Sequence, residues 1–365
     1  MPARPIKLAD LRRYAIARSL FTPTTLPAAI RKLGFVQADP IRAPARAQDL
    51  TLRLRVKDYR AGELERRYAK LAVEEDCLVN YGFLPREHLH LMHPRIARRV
   101  WDAKTQEQAE AILNFVSARG PSHPREIQAH INLGSTRNAW GGNSNATTQL
   151  LDGMHYRGLL RVHEREAGQR IYAAVQHPED ERSPQAKADA LLHLVLAKYA
   201  PLPSRSLGAL CSLLGYGAPH LGAEIKHALA HARKALPSAE VAGVSWLWPD
   251  GEDPAAKRWR LDDELRLLAP FDPIVWDRLR FELLWGWAYR FEAYTPAPKR
   301  KLGYYALPML WRGQMVGWAN LSVLNGGLQA QFGFVEPAAQ QDRELQLALD
   351  AELARMSTFL GLSVS

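Results

Sequence analysis

The sequence predicts an α+β protein, mainly α, with three tandem winged helix-turn-helix modules followed by a C-terminal β region that carries a protruding hairpin. Three observations predict this. A set of helical stretches recurs three times in the same order. A strand or hairpin pattern follows the helices in the second and third copies. After Leu261 the composition turns to Trp, Tyr, Phe and Val.

In the first copy, Leu8 to Leu20 places Leu8, Leu11 and Ala15 on one helical face. Thr24-Thr25 offers an N-cap to a helix holding Ile30 and Leu33, and Gly34 stands where a C′ glycine belongs. In the second copy, Lys104 to Arg119 turns Ala109, Ile112, Leu113 and Val116 inward. A Gly120-Pro121 break and a short helix around Glu126-Ile127-Gln128 follow. Ser144 is expected to cap a helix with Leu150, Leu151, Met154 and Leu159. Val162, Ile171 and Tyr172 then flank the turn Glu166-Ala167-Gly168-Gln169, a hairpin signal. The third copy runs from Ala186 to Tyr199, passes Pro201 and Pro203, and continues in a Ser204-capped helix with Leu207, Leu210 and Leu214. A helix over 218–236 and a strand-like Val241 to Trp248 complete it. Residues 264–335 read as an antiparallel region, and Gln340 to Phe359 returns to helical spacing. The boundaries implied are 1–100, 101–182, 183–262 and 263–365.

Length and composition narrow the function classes. At 365 residues the chain exceeds one typical domain, and 47% hydrophobic with 24% charged residues excludes disorder as the dominant state. No run of about 18 apolar residues occurs, which argues against a membrane span. Residues 1–20 carry five basic residues and no continuous apolar stretch, unlike a signal peptide. Cys77 and Cys211 have no partner spacing, so neither a disulfide scaffold nor a cysteine zinc site is expected, and a cytoplasmic location fits. Lys plus Arg exceeds Asp plus Glu by 48 to 38, a net +10. Residues 1–60 hold thirteen basic and four acidic residues, a net +9. Charge concentrated in one segment points to a polyanion, most often nucleic acid.

Most chemical signatures are missing. There is no Walker A loop, no Gly-x-Gly-x-x-Gly after a strand, and no His-Glu-x-x-His. His88, His90 and His93 do not share one helical face and read as a solvated helix rather than a metal site. The segment Gly34-Phe35-Val36-Gln37-Ala38-Asp39-Pro40 is different. It sets an amide and a carboxylate two residues apart, beside Arg42, Arg46, Arg53 and Arg55. In an extended backbone Gln37 and Asp39 point to the same side. An ion pair and a water-activating pair beside a phosphate-binding groove are both compatible with that pattern. Thr295-Pro296-Ala297-Pro298-Lys299-Arg300-Lys301 should be exposed, because three adjacent cations are costly to bury. Trp285, Trp287 and Tyr289 alternate as in a strand and read as a core or sheet face.

Val36-Gln37-Ala38-Asp39, the run Leu268 to Arg278, the run Tyr289 to Tyr305, Leu307-Pro308 and Gly313-Gln314-Met315-Val316-Gly317 together resemble the AlkZ/YcaQ (AlkX) family of bacterial winged-helix DNA glycosylases, in its Gln-x-Asp, YcaQ-like branch. The resemblance covers nearly the whole chain. It implies a C-shaped clamp around duplex DNA, a hairpin probing the minor groove with Lys299, Arg300 and Lys301 at its tip, and Gln37 and Asp39 as the catalytic pair. It further implies a monomer in the bacterial nucleoid, without cofactor or metal, acting on double-stranded DNA with N7-alkylguanine-type bases and, in some members, on interstrand crosslinks. Arg42, Arg46, Arg53 and Arg55 would contact phosphates. The sequence departs from the family pattern at Ala38, usually a larger aliphatic, and at Val79-Asn80, where relatives carry His-Glu. It departs again at Gly317-Trp318-Ala319-Asn320, usually Gly-Arg-x-Asp.

An N7-alkylated base is cationic and leaves neutral, so no strong general acid is required. Asp39 would stabilise an oxocarbenium-like transition state and accept a proton from water that Gln37 helps orient. The nearest lysine in sequence, Lys32, lies on the preceding helix, which favours hydrolysis over a Schiff-base lyase. The competing expectation is a non-catalytic winged-helix DNA-binding protein or transcription regulator, which usually needs two-fold symmetry.

Overall fold

Apolar residues at helical spacing become helices in the expected order. The computed structural model describes residues 5–131, 135–137, 143–177 and 180–362. Helices span Leu8–Ser19, Leu26–Leu33, Ala103–Arg119, Pro124–His130, Ala146–Arg157, Pro184–Tyr199, Ser204–Gly217, Gly222–Ala235 and Arg343–Leu360. Ser144 falls in the strand Asn143–Asn145, ahead of the helix it was expected to cap, and its side chain lies outside the described residues. Among the described residues no helix is long and apolar enough to cross a membrane.

Among the described residues, four hairpins turn on two residues each: Ala167-Gly168, Ala242-Gly243, Arg312-Gly313 and Asn325-Gly326. Both residues of each turn have positive φ. That geometry suits the right-handed twist of the flanking strands, and glycine takes its second position without steric cost.

The chain forms two compact units. One comprises residues 1–64, 193–210 and 229–365, and the other 65–192 and 211–228. In the second unit, the helices Ala103–Arg119, Pro124–His130 and Ala146–Arg157 pack on one another and against the hairpin Leu160–Glu166/Gln169–Ala174. A further antiparallel pair, Val73–Cys77 with Tyr81–Pro85, buries three successive acids. Arginines answer each of them: Arg86 and Arg161 on Glu74 (both 2.6 Å), Arg165 on Glu75 (2.6 Å), and Arg95 on Asp76 (3.1 Å). Burial alone would raise the Asp76 carboxyl, but Arg95 and His93 overturn this and hold it well below its ordinary value. The expected solvated histidine helix is therefore corrected. Residues Arg86–Leu91 form a 3-10 turn, and His93 is buried, its Nε2 2.5 Å from Asp76 Oδ2 and its ring stacked on His177. Among the described residues no three or more His, Cys, Asp or Glu side chains converge as a metal site.

In the first unit, the Leu8–Ser19 helix divides two cores. Ile16 joins Leu268, Ile274, Val275, Phe281 and Met315 in one. Leu11, Tyr14 and Ala15 join Trp246, Trp248 and Leu284 in the other. A four-stranded antiparallel sheet runs in the order Arg266–Leu267, Leu307–Trp311, Gln314–Leu324, Gly327–Phe334. Trp285 ends the helix Arg278–Trp285, and no strand is assigned from Gly286 to Ala306, so the expected alternating strand through Trp285, Trp287 and Tyr289 is absent. The three rings pack in or against the core all the same, clustering around Phe281.

Two buried ion pairs tie the N-terminal third to the C-terminal segment. Arg55, fully buried, grips Asp272 with both terminal nitrogens (2.7 and 3.1 Å) and also donates to the carbonyls of Ser19 and Thr51. Arg53 pairs with Glu352, whose Oε1 also accepts the amide of Leu267 (2.9 Å) and so docks the closing helix onto the sheet edge. Removing one partner of such a pair strands the other charge in the interior, at a cost of about 3–5 kcal/mol. Arg55→Met should therefore lower unfolding free energy by about that amount, and Arg55→Met/Asp272→Leu should recover most of it. Urea unfolding of the three proteins measures both. A double variant no better than the single would show that the two charges act independently.

Candidate active site

Gly34 ends the Leu26–Leu33 helix in the left-handed region at φ +68°, and a Cβ there would lie 2.5 Å from Leu194 Cδ1. That tight exit turns the chain directly into the short strand Val36–Gln37. Phe35 and Val36 are buried, and Lys198 Nζ donates to the Phe35 carbonyl. Burial, reinforced by the positive charge of Arg55 and opposed by Asp272, brings the Lys198 amine down to about 7.

Gln37 is buried, and its Oε1 accepts the indole N–H of Trp276 at 2.7 Å. An indole only donates, so this bond fixes which end of the amide is oxygen and leaves Nε2 as a donor of known direction. Trp276 is itself held between elements, its ring 5.1 Å from that of Tyr199.

Asp39 is 8% exposed. Its Oδ1 accepts the backbone N–H of Ile41 at 2.9 Å, and its own N–H donates to Gln48 Oε1 at 3.3 Å. Among the described residues no arginine pairs with it, so the ion-pair alternative does not describe this carboxylate there. Burial pushes its carboxyl above the ordinary value, and the Ile41 N–H opposes that rise. A carboxylate raised in this way is a stronger base than one in water.

The expected phosphate-binding arginines separate into two groups. Arg42 is exposed and Arg46 half-buried. Arg53 and Arg55 are corrected: both are sealed in the ion pairs with Glu352 and Asp272 and cannot reach a phosphate. The cations of the C-terminal region sit on a loop around a 3-10 turn, Ala297–Lys299, rather than at the tip of a β-hairpin. Proline at 296 and 298 explains the difference, since neither residue can donate to a strand ladder. Glu292 Oε2 accepts the successive amides of Lys301 (2.8 Å) and Leu302 (2.7 Å), which closes the loop. Lys299 and Lys301 are exposed, whereas Arg300 lies over the Tyr304 ring and donates to the Thr295 carbonyl. Asn320 secures the far side, its Oδ1 accepting the Tyr305 N–H (3.3 Å) and its Nδ2 donating to the Leu302 carbonyl (2.7 Å). An aspartate could make only the first of these bonds when ionised, which gives the departure at position 320 a local physical reason.

Sequence reasoning missed Trp276 and Lys198 as companions of the Gln-x-Asp segment. Trp276 stands inside a quoted motif, but nothing in the motif says that its indole meets Gln37. Lys198 interrupts the apolar face of its helix beside Val195 and Tyr199, a weak signal that its nitrogen is turned inward.

The family model described as "DNA glycosylase AlkZ-like" matches residues 30–359. Among solved structures, Streptomyces sahachiroi DNA glycosylase AlkZ is similar at a TM-score of 0.65 and 15% identity, with 99% of this chain and 98% of that one covered. At that identity the likeness is one of fold.

The raised Asp39 carboxyl has a thermodynamic sign. The folded protein holds this proton more tightly than the unfolded chain does. Stability is therefore lost as pH rises from the unfolded value near 4 through the higher folded value. Asp39→Asn keeps the acceptor for Ile41 and removes the charge. It should be at least as stable as the wild type at pH 7, with the margin closing as pH falls to about 4. Urea unfolding at the two pH values checks this, and a variant less stable at neutral pH would contradict it.

Proposed function

Because the chain belongs to the AlkZ-like DNA glycosylase family, we propose that it hydrolyses the N-glycosidic bond of N7-alkylguanine-type bases in duplex DNA, interstrand crosslinks at the same atom included. The observation that carries this reading is the state of the Gln37–Asp39 pair: an amide oriented by Trp276 beside an unsalted, poorly hydrated carboxylate.

The chemistry follows from those two groups. Alkylation at N7 places a positive charge on the base. As the C1′–N9 bond breaks, its electron pair leaves with the base, which departs neutral, and positive charge develops on the sugar. Asp39 stabilises that charge, and it does so more strongly than a carboxylate in bulk water because its surroundings are of low polarity. Water then bonds to C1′ and gives its proton to Asp39, leaving an abasic site. Gln37, held by Trp276, orients that water. Lys198 takes no covalent part in this scheme, since its nitrogen is buried against the Phe35 carbonyl.

The tandem helix–helix–hairpin modules read from sequence, taken as winged helices, supply the DNA-binding frame in this reading. Arg42, Arg46, Lys299 and Lys301 supply its phosphate contacts, and Arg300 supports the loop.

Two measurements test the proposal. Release of N7-methylguanine from alkylated duplex DNA by Asp39→Asn should fall by about 10²-fold or more, the usual contribution of a positioned acid–base group. Release within about tenfold of the wild type would remove Asp39 from the reaction. Affinity for duplex DNA should fall steeply with salt, and Lys299→Ala/Lys301→Ala should flatten the logarithmic slope by about two, one per lost phosphate contact. An unchanged slope would exclude this loop from the DNA interface.

A further inference from the structure

Lys198 is a costly residue for the fold. It is buried, and among the described residues its ammonium group has no carboxylate partner. Asp272 gives both oxygens to Arg55, and one of them also accepts the Ile274 amide. Arg55 itself adds a like charge, and with burial it brings the amine down to about 7 against the opposing pull of Asp272. The folded protein thus holds this proton less tightly than the unfolded chain. The ammonium costs stability at pH 7 and below, and the cost fades as pH rises toward the unfolded value near 10. Methionine would fill much the same volume without that penalty.

What the lysine does hold is the backbone that leads into the site. Its Nζ donates to the carbonyl of Phe35, two residues before Gln37, and lies 5.6 Å from the Phe35 ring and 5.2 Å from that of Tyr199. The same helix meets the Gln-x-Asp segment at two further points. Leu194, four residues earlier and so on the same face, closes on Gly34, where a Cβ would lie 2.5 Å from its Cδ1. Tyr199 stands 5.1 Å from the ring of Trp276, whose indole fixes the Gln37 amide. Arg280 Nη1 donates to the Tyr199 carbonyl and to that of Pro273 (3.2 Å), which ties this helix end to the stretch that carries Trp276. Gly34, Phe35 and the partner of Gln37 are therefore each gripped from one short run of helix.

We propose that Lys198 is a positioning residue for Gln37: its bond to the Phe35 carbonyl fixes the peptide plane from which the strand Val36–Gln37 departs, and so the direction in which the Gln37 amide faces the attacking water. Lys198 touches neither the water nor the sugar, and no bond to it is made or broken. This inference rests on the proposed glycosylase reading, and its test separates the two.

Lys198→Met keeps the length of the stem and removes the donor. It is made alone and together with Gln37→Ala, beside Gln37→Ala and Asp39→Asn as single variants. Each protein is measured at pH 7 by single-turnover release of N7-methylguanine from duplex DNA per folded molecule, by equilibrium DNA binding and by thermal unfolding. The expected result for Lys198→Met is release slowed about tenfold or more, unchanged DNA affinity and a Tm no lower than that of the wild type. In the Gln37→Ala background the same substitution should cost no further rate, because no amide is left to position. An equal loss in both backgrounds means that the lysine acts elsewhere, and it overturns the inference. A changed Tm with a wild-type rate per folded molecule marks a purely structural lysine and overturns it as well. Should Lys198→Met not fold, Lys198→Gln is judged in its place by the same comparison of backgrounds. A slow Asp39→Asn beside a Lys198→Met within twofold of the wild type overturns the Lys198 role only. A wild-type rate in Asp39→Asn overturns the proposed hydrolysis and the inference that rests on it.

Discussion

The Arg55–Asp272 pair is the contact on which the geometry of the first unit depends. Its two residues lie 217 positions apart, both are fully buried, and the guanidinium engages both carboxylate oxygens. Around it, Arg55 reaches the Ser19 and Thr51 carbonyls, and Asp272 also accepts the Ile274 amide. The pair thereby locks the loop after the first helix and the segment leading to Trp276 into one register. Gln37 meets its indole partner because of that register. Bidentate geometry and saturated lone pairs are the conditions under which a buried ion pair offsets its desolvation.

Much of the fold was legible in the sequence because helical periodicity, C′ glycine and X-Gly turns are local signals. Gly34, the Ala167-Gly168 turn and the Asn325-Gly326 turn each do what their residue types demand. Charge was less legible. The basic excess of residues 1–60 points to a polyanion partner, but much of it is neutralised within the protein. Arg13 pairs with Asp10, Arg18 with Glu252, Arg53 with Glu352 and Arg55 with Asp272. The acids that answer three of these arginines come from beyond residue 250, so a count over the first sixty residues could not see them. The strand expected through Trp285, Trp287 and Tyr289 failed for a related reason. Aromatic alternation reports burial on one side, which a helix end followed by an extended segment satisfies as well as a strand does.

The candidate site shows the same division. The Gln-x-Asp spacing is visible in the sequence, and so is its place behind a helix C′ glycine. What surrounds it is contributed by distant segments: Gln48 from the next helix, Lys198 from the helix Pro184–Tyr199, and Trp276 from the C-terminal region. These partners set the properties on which chemistry depends. Trp276 chooses the face of an amide, and the low polarity around Asp39 raises the basicity of a carboxylate. Neither effect has a signature in a single sequence, because each depends on which side chains are absent from the neighbourhood as much as on those present.

The loop that carries Lys299 and Lys301 has a thermodynamic consequence beyond its charge. One oxygen of Glu292 accepts two consecutive amides, Arg300 lies over Tyr304, and two prolines restrict the backbone. Its backbone is thus ordered when the chain folds, while the two ammonium groups remain in water. In the proposed contact with DNA, association would sacrifice little backbone entropy, and the released counterions would contribute nearly undiminished to affinity. A flexible tail of equal charge would give up part of that gain to its own immobilisation.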